Sequence, residues 1–161
     1  MIPGTIITWN FGVRHYAFSF SLIFSLFYVI VFLVRAFKYT AFSRFAKKED
    51  IADSELLEIV NHLEKDQADA NLGGDVYKVR LARHGEGKSG GHRIIVYFRN
   101  EFRTFFVYGF PKSVRGNISG KELRAFKIDA RDQLSLTDEQ IKLRLKNRTL
   151  IEVFLEDKSE I

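Results

Sequence analysis

An α+β fold is predicted: an antiparallel sheet of three to four strands packed on N-terminal helices and followed by C-terminal helices. Three observations carry this. The runs VYKVRLA (76–82), HRIIVYFR (92–99) and RTFFVYGF (103–110) are rich in β-branched and aromatic residues, the composition of strands. Ahead of them, Leu56, Ile59, Val60 and Leu63 recur at helical spacing. Behind them, Ser119 with Glu122 and Thr137 with Gln140 are two capping boxes, each able to open a helix.

The chain has 161 residues, room for one domain with a real core beside a shorter appendage. Residues 1–33 read as an apolar N-terminal extension and residues 34–161 as the domain. Residues 16–34 are nineteen consecutive uncharged residues, near the minimum for a membrane-spanning helix. Arg14 and His15 precede them, and Arg35, Lys38, Arg44, Lys47 and Lys48 follow, which would leave the domain in the cytoplasm. Three readings stay open: a single span, a buried helix, or a leader without structural role ahead of a true start at Val34. A cleaved signal peptide fits poorly, because little positive charge precedes the run and no small-x-small site follows it.

From there the elements follow in order. Residues 34–39 form a short strand, Thr40 caps a helix over 41–48, and Asp53 caps a second one. Leu72-Gly73-Gly74 breaks the chain before the three strands, and Asn100-Glu101 joins the last two as a tight hairpin. Pro111 ends the third strand. The capping boxes open helices over 120–134 and 138–147, and residues 149–155 add an edge strand. There is no cysteine, hence no disulfide framework or thiolate metal site. The four histidines (15, 62, 84 and 92) lack ligand spacing, so neither metal nor cofactor is expected.

Charge is segregated along the chain. Residues 49–75 hold nine acids against Lys65 alone, whereas residues 76–131 hold thirteen Lys or Arg against four acids. A basic surplus of that size favours a polyanion such as a nucleic-acid backbone. Strand alternation sorts the side chains further. Tyr77, Val79, Leu81, Ile94, Val96, Phe98, Phe105 and Val107 form an apolar face for the helices. With a two-residue hairpin, Tyr97 opposes Thr104, Ile95 opposes Phe106 and Arg93 opposes Tyr108. The other face then gathers Lys78, Arg80, Arg93, Tyr97 and Tyr108, flanked by Arg83, His84 and Lys88 on a loop and by Lys112 and Arg115 after the last strand. Cations hold phosphates and aromatic rings stack on bases. The loop sequence GEGKSGGHR invites a second reading as a nucleotide-binding phosphate loop, with Ala82 in place of the first glycine. That motif needs a helix opened by its Lys-Ser pair, and here a strand follows, so the reading fails.

The residues YKVRLARHGEGKSGGHRIIVYF, followed by FFVYGFPKSVRGNIS and a capped helix, resemble the RelE/ParE superfamily of toxin–antitoxin toxins, above all its RelE-like and HigB-like branches. The resemblance covers residues 34 to about 153. It implies a metal-independent endoribonuclease that cuts mRNA on the ribosome, inhibits translation and is held in check by a cognate antitoxin protein. It also implies roles for individual residues. Lys78 or Lys88 assists proton transfer, Arg80 and Arg93 stabilise the charged phosphate, and Tyr97 or Tyr108 stacks a base or orients the 2′-hydroxyl. Lys112 falls where the family places basic residues after its last strand, and Arg83, His84 and Arg115, from their place beside the basic face alone, are expected to add RNA contacts. Two other functions fit the same residues: a ParE-like inhibitor of DNA gyrase without nuclease activity, and a nucleic-acid-binding protein anchored by residues 16–34.

Overall fold

A computed structural model describes residues 35–83, 90–99 and 103–154. The apolar run at 16–34, the boundary at 33/34, His84, Lys88 and the turn Asn100-Glu101 lie outside the described residues. The elements run β1 (Arg35–Tyr39), α1 (Thr40–Lys48), α2 (Asp53–Glu64), β2 (Ala70–Asn71), β3 (Val76–Leu81), β4 (His92–Arg99), β5 (Arg103–Pro111), α3 (Gly120–Leu134), α4 (Asp138–Lys146) and β6 (Leu150–Glu152). Among the described residues the sheet has six strands in the order β2-β3-β4-β5-β1-β6. The fold is α+β as expected, with more strands than expected. β1 runs parallel to β5, and the other pairs are antiparallel. No helix among the described residues is long and apolar enough to cross a membrane.

Local signals place the C-terminal helices within a residue. Ser119 Oγ accepts from the Glu122 amide at 3.2 Å, and Glu122 Oε2 accepts from the Ser119 amide at 2.7 Å. Thr137 and Gln140 make the same reciprocal pair at 3.3 and 2.8 Å. The N-terminal caps differ from expectation. Thr40 is the first residue of α1 and its hydroxyl donates to the Arg148 carbonyl at 2.5 Å, tying the helix to the turn before β6. Asp53 lies inside α2, whose cap is Ala52; the Ala52 amide donates to Glu55 at 2.9 Å. Asp53 instead pairs with Lys38 of β1 and accepts from the Phe154 amide at 3.4 Å.

The sheet is covered on both faces. One core joins Phe42 and Ala46 of α1 and Leu56, Ile59, Val60 and Leu63 of α2 to Val79, Ile94, Val96, Phe98 and Phe106. The other joins Ala130, Leu134 and Ile141 of the C-terminal helices to Phe37, Val76, Ile95, Tyr97, Phe105 and Val107. Phe105 and Val107 therefore face the C-terminal helices, opposite to the sequence expectation. The reason is register. Arg99 pairs with Arg103, so three residues rather than two separate the strands, and Tyr97 opposes Phe105 instead of Thr104. A one-residue slip turns each side chain to the other face. A bulge beside Ile95 and Val96 then shifts the register again, so that Ile95 opposes Tyr108 and Arg93 opposes Phe110. The bulge returns Tyr108 to the face of Arg93, where alternation had put it.

Tyr97 is the clearest correction. It is fully buried, and its hydroxyl donates to Asp129 of α3 at 2.9 Å. Tyr39 donates to the same oxygen at 2.8 Å, and Gln133 donates to the other oxygen at 2.9 Å. Burial, then the neighbouring carboxylate, raises both phenols well above their usual range. Tyr97 thus pins α3 to the sheet and cannot stack a base.

Candidate nucleic-acid interface

Sheet pairing on the α3 side sets out three rungs running across β3, β4 and β5: Val76, Tyr97 and Phe105; Lys78, Ile95 and Tyr108; Arg80, Arg93 and Phe110. α3 packs on the first rung, and its Phe126 reaches the second, 6.4 Å from the Tyr97 ring and 6.0 Å from the Tyr108 ring. The third rung lies at the sheet end where β3 and β4 approach residues 84–89. A cleft of about 340 Å³ opens there, lined by Asp69, Arg80, Leu81, Ala82, Gly91 and Arg93. That size falls in the range of small-ligand sites.

Gly91 shows why a glycine stands two residues before Arg93. A Cβ at this position would lie 2.3 Å from the Leu81 carbonyl oxygen, inside backbone that cannot yield. Gly109 on β5 is constrained by a side chain: a Cβ there would lie 2.2 Å from the Phe45 ring. Both glycines permit close approach at this end of the sheet.

Arg93 is only 8% exposed. Its Nη1 donates to the His92 carbonyl at 3.3 Å, and among the described residues it forms no ion pair. Directly opposite on β3 stands Arg80. Like charges facing each other across two strands are destabilising, and a guanidinium has five donors of which one is used here. Such a pair calls for an anion. Arg80 is partly compensated: its amide donates to Asp69 Oδ2 at 2.6 Å and its Nε lies 3.5 Å from Asp69 Oδ1.

The remaining basic residues separate into two groups. Lys78 Nζ donates to Asn117 Oδ1 at 3.1 Å, on the rung beside the cleft, and Lys112 is exposed, with its amide bonded to the Gly91 carbonyl at 3.1 Å. Arg115 grips Glu122 with both ends of its fork, at 2.8 and 2.6 Å, and lies 5.3 Å above the Phe110 ring. Glu122, and after it Tyr108, raise the Arg115 guanidinium above its usual range, and in return Arg115 and the Ser119 cap lower Glu122 to about 2. Arg83 pairs with Glu49 at the end of α1, 3.6 Å away, on the other side of the sheet from Arg93. The structure thus brings Lys78, Arg80, Arg93 and Tyr108 onto adjacent rungs, and ties Arg83 and Arg115 to acids.

The acidic block of the sequence supplies many of these counter-charges: Asp53 to Lys38, Asp69 to Arg80, Glu49 to Arg83, and Asp75 to Arg99 at 2.7 Å. The net field is smaller than the basic segment alone implies, and Arg93 stands out against it. Sequence reasoning missed Asp69, Asn117 and Phe110. Phe110 was open to it, being two positions beyond Tyr108 on one strand; Asp69 was not, because it reaches Arg80 through the two-residue strand β2. Among the described residues, no three His, Asp or Glu side chains gather as a metal site requires.

No curated protein matches this chain. The family described as the RelE toxin of the RelE / RelB toxin–antitoxin system matches residues 34–153, the span from the first strand to the end of the sheet. The chain belongs to the RelE family of toxins, and that membership implies a cognate antitoxin partner.

Proposed function

We propose that the protein is an endoribonuclease that cuts mRNA on the ribosome and so inhibits translation, acting in the cytoplasm, where both are found. The observation that carries this is Arg93: a buried guanidinium without an acidic partner among the described residues, facing Arg80 in an open cleft. A scissile phosphate satisfies both arginines. The charge that builds on the phosphate as the 2′-hydroxyl attacks is then held by donors already in place. Tyr108 lies one rung away, within reach of the ribose or base, and Lys78 and Lys112 meet flanking phosphates. No metal is needed, since the guanidiniums supply the positive charge. Arg83 and Arg115, each held by a carboxylate, are framework residues first. Family membership supports the reading, as toxins of this family act in general on mRNA.

Induced expression of the full chain is expected to arrest growth and leave mRNA cuts within ribosome-occupied codons. The Arg93→Ala variant, at equal abundance, is expected to do neither. Normal growth with intact transcripts contradicts the proposal, and a response confined to DNA damage would point to gyrase instead.

A further inference from the structure

We propose that Asp69 takes the proton of the ribose 2′-hydroxyl when RNA occupies the cleft, an assignment that rests on the phosphate reading of Arg80 and Arg93. Attack by a 2′-hydroxyl needs a proton acceptor beside the phosphate. Arg80 and Arg93 only donate, and Lys78 is likewise a donor, already engaged with Asn117. Asp69 is the sole acidic side chain among the described residues that line the cleft.

Its geometry suits the task. Pairing of β2 with β3 sets Ala70 opposite Lys78, which brings Asp69 alongside Arg80 although they are eleven positions apart in sequence. Oδ2 is anchored by the main-chain amide of Arg80 at 2.6 Å, so the carboxylate keeps its place when the Arg80 side chain turns to a phosphate. Oδ1 lies 3.5 Å from Arg80 Nε, beyond ordinary hydrogen-bond distance, and retains lone pairs for a hydroxyl donor. In the step itself, the O2′–H bond breaks and the proton passes to Oδ1. O2′ bonds to phosphorus, the P–O5′ bond breaks, and the departing 5′-oxygen takes a proton from water. The products are a 2′,3′-cyclic phosphate and a 5′-hydroxyl. Asp69 then returns its proton to solvent.

The test is single-turnover cleavage of ribosome-bound mRNA by the full chain as wild type, Asp69→Asn and Arg93→Ala, each across a pH series, with binding of the same mRNA carrying one 2′-deoxy sugar at the cut site. Asparagine keeps an oxygen for the Arg80 amide and loses the basic one. Asp69→Asn is expected to slow cleavage about 100-fold or more, flatten the acidic limb of the pH–rate profile, and leave binding of the 2′-deoxy mRNA within twofold. Cleavage by Asp69→Asn at the wild-type rate, with Arg93→Ala inactive, overturns the role of Asp69 alone. Loss of rate and of binding together, with the pH profile unchanged, assigns Asp69 to the framework and also overturns it. Cleavage indifferent to Arg93→Ala, or absent from the wild type, overturns the phosphate reading and the role of Asp69 with it.

Discussion

Burying a guanidinium without a carboxylate costs several kcal/mol in general, even after the surroundings relax. Arg93 does so among the described residues, and it faces a second arginine. A fold under selection for stability alone has no use for that arrangement. Replacement by an apolar side chain of similar length is therefore expected to raise stability while removing function. For Arg93→Met, the melting temperature should rise by a few degrees, corresponding to roughly 1 kcal/mol or more, and mRNA cleavage should fall by about 100-fold or more. A calorimetric scan beside a cleavage assay checks both, and a melting temperature lowered as for any core defect would count against an anion site. Tyr97 makes the opposite case. Tyr97→Phe removes one donor to Asp129 and leaves that of Tyr39. It should cost about 1 kcal/mol in urea denaturation and leave cleavage within twofold. A large loss of activity at unchanged stability would return Tyr97 to the RNA surface.

At the level of elements, the most local signals were the most legible. Both capping boxes sit where the sequence put them, because each is closed by residues three apart. Glu122 carries a pH consequence. Its carboxyl is lowered from 4.5 to about 2 by Arg115 and then by Ser119. The stabilisation is fully present above 4.5 and is lost as the pH falls toward 2. Protection of the amides at the start of α3, taken as exchange rates corrected for their intrinsic pH dependence, should therefore fall across that window, and in Glu122→Ala it should be low already at neutral pH and nearly flat. Strand register was less legible, since it depends on one turn residue and one bulge. The hairpin holds three residues instead of two, and that single difference turned Phe105 toward the C-terminal helices. Gly109 marks what the correct register demands. Gly109→Ala drives a methyl group into the Phe45 ring and should destabilise by about 1–3 kcal/mol. Adding Phe45→Leu should recover part of that loss; no recovery would mean that Phe45 is not the obstacle.

Over the whole molecule, the acidic block of the sequence folds in part onto the basic ones. Asp53, Asp69, Asp75 and Glu49 each meet a base drawn from the basic segments. Composition predicted a polyanion partner but overstated the free charge, because the sequence does not show which acids fold back onto which bases. The second layer of helices was hidden for a related reason. Val76, Ile95 and Tyr97 share a face with Lys78, Arg80 and Arg93, and in sequence the charged members mask a row whose far end is core. On the proposed reading, RNA meets four cations in and beside the cleft: Arg93, Arg80, Lys78 and Lys112. With about four phosphate contacts to a single strand, log affinity should fall with log salt at a slope of about −3. A slope steeper than about −6 would mean that the broad basic surface binds as a whole.

The claim that a phosphate belongs between Arg93 and Arg80 can be read directly from the guanidinium Nε–H resonances of the full chain. The ligand would be a short RNA with 2′-O-methyl sugars, which binds without being cut. The Arg93 and Arg80 resonances are expected to shift together and saturate with one RNA bound, while those of Arg83 and Arg115 move little. Shifts concentrated at Arg83, with Arg93 unmoved at saturation, would contradict it.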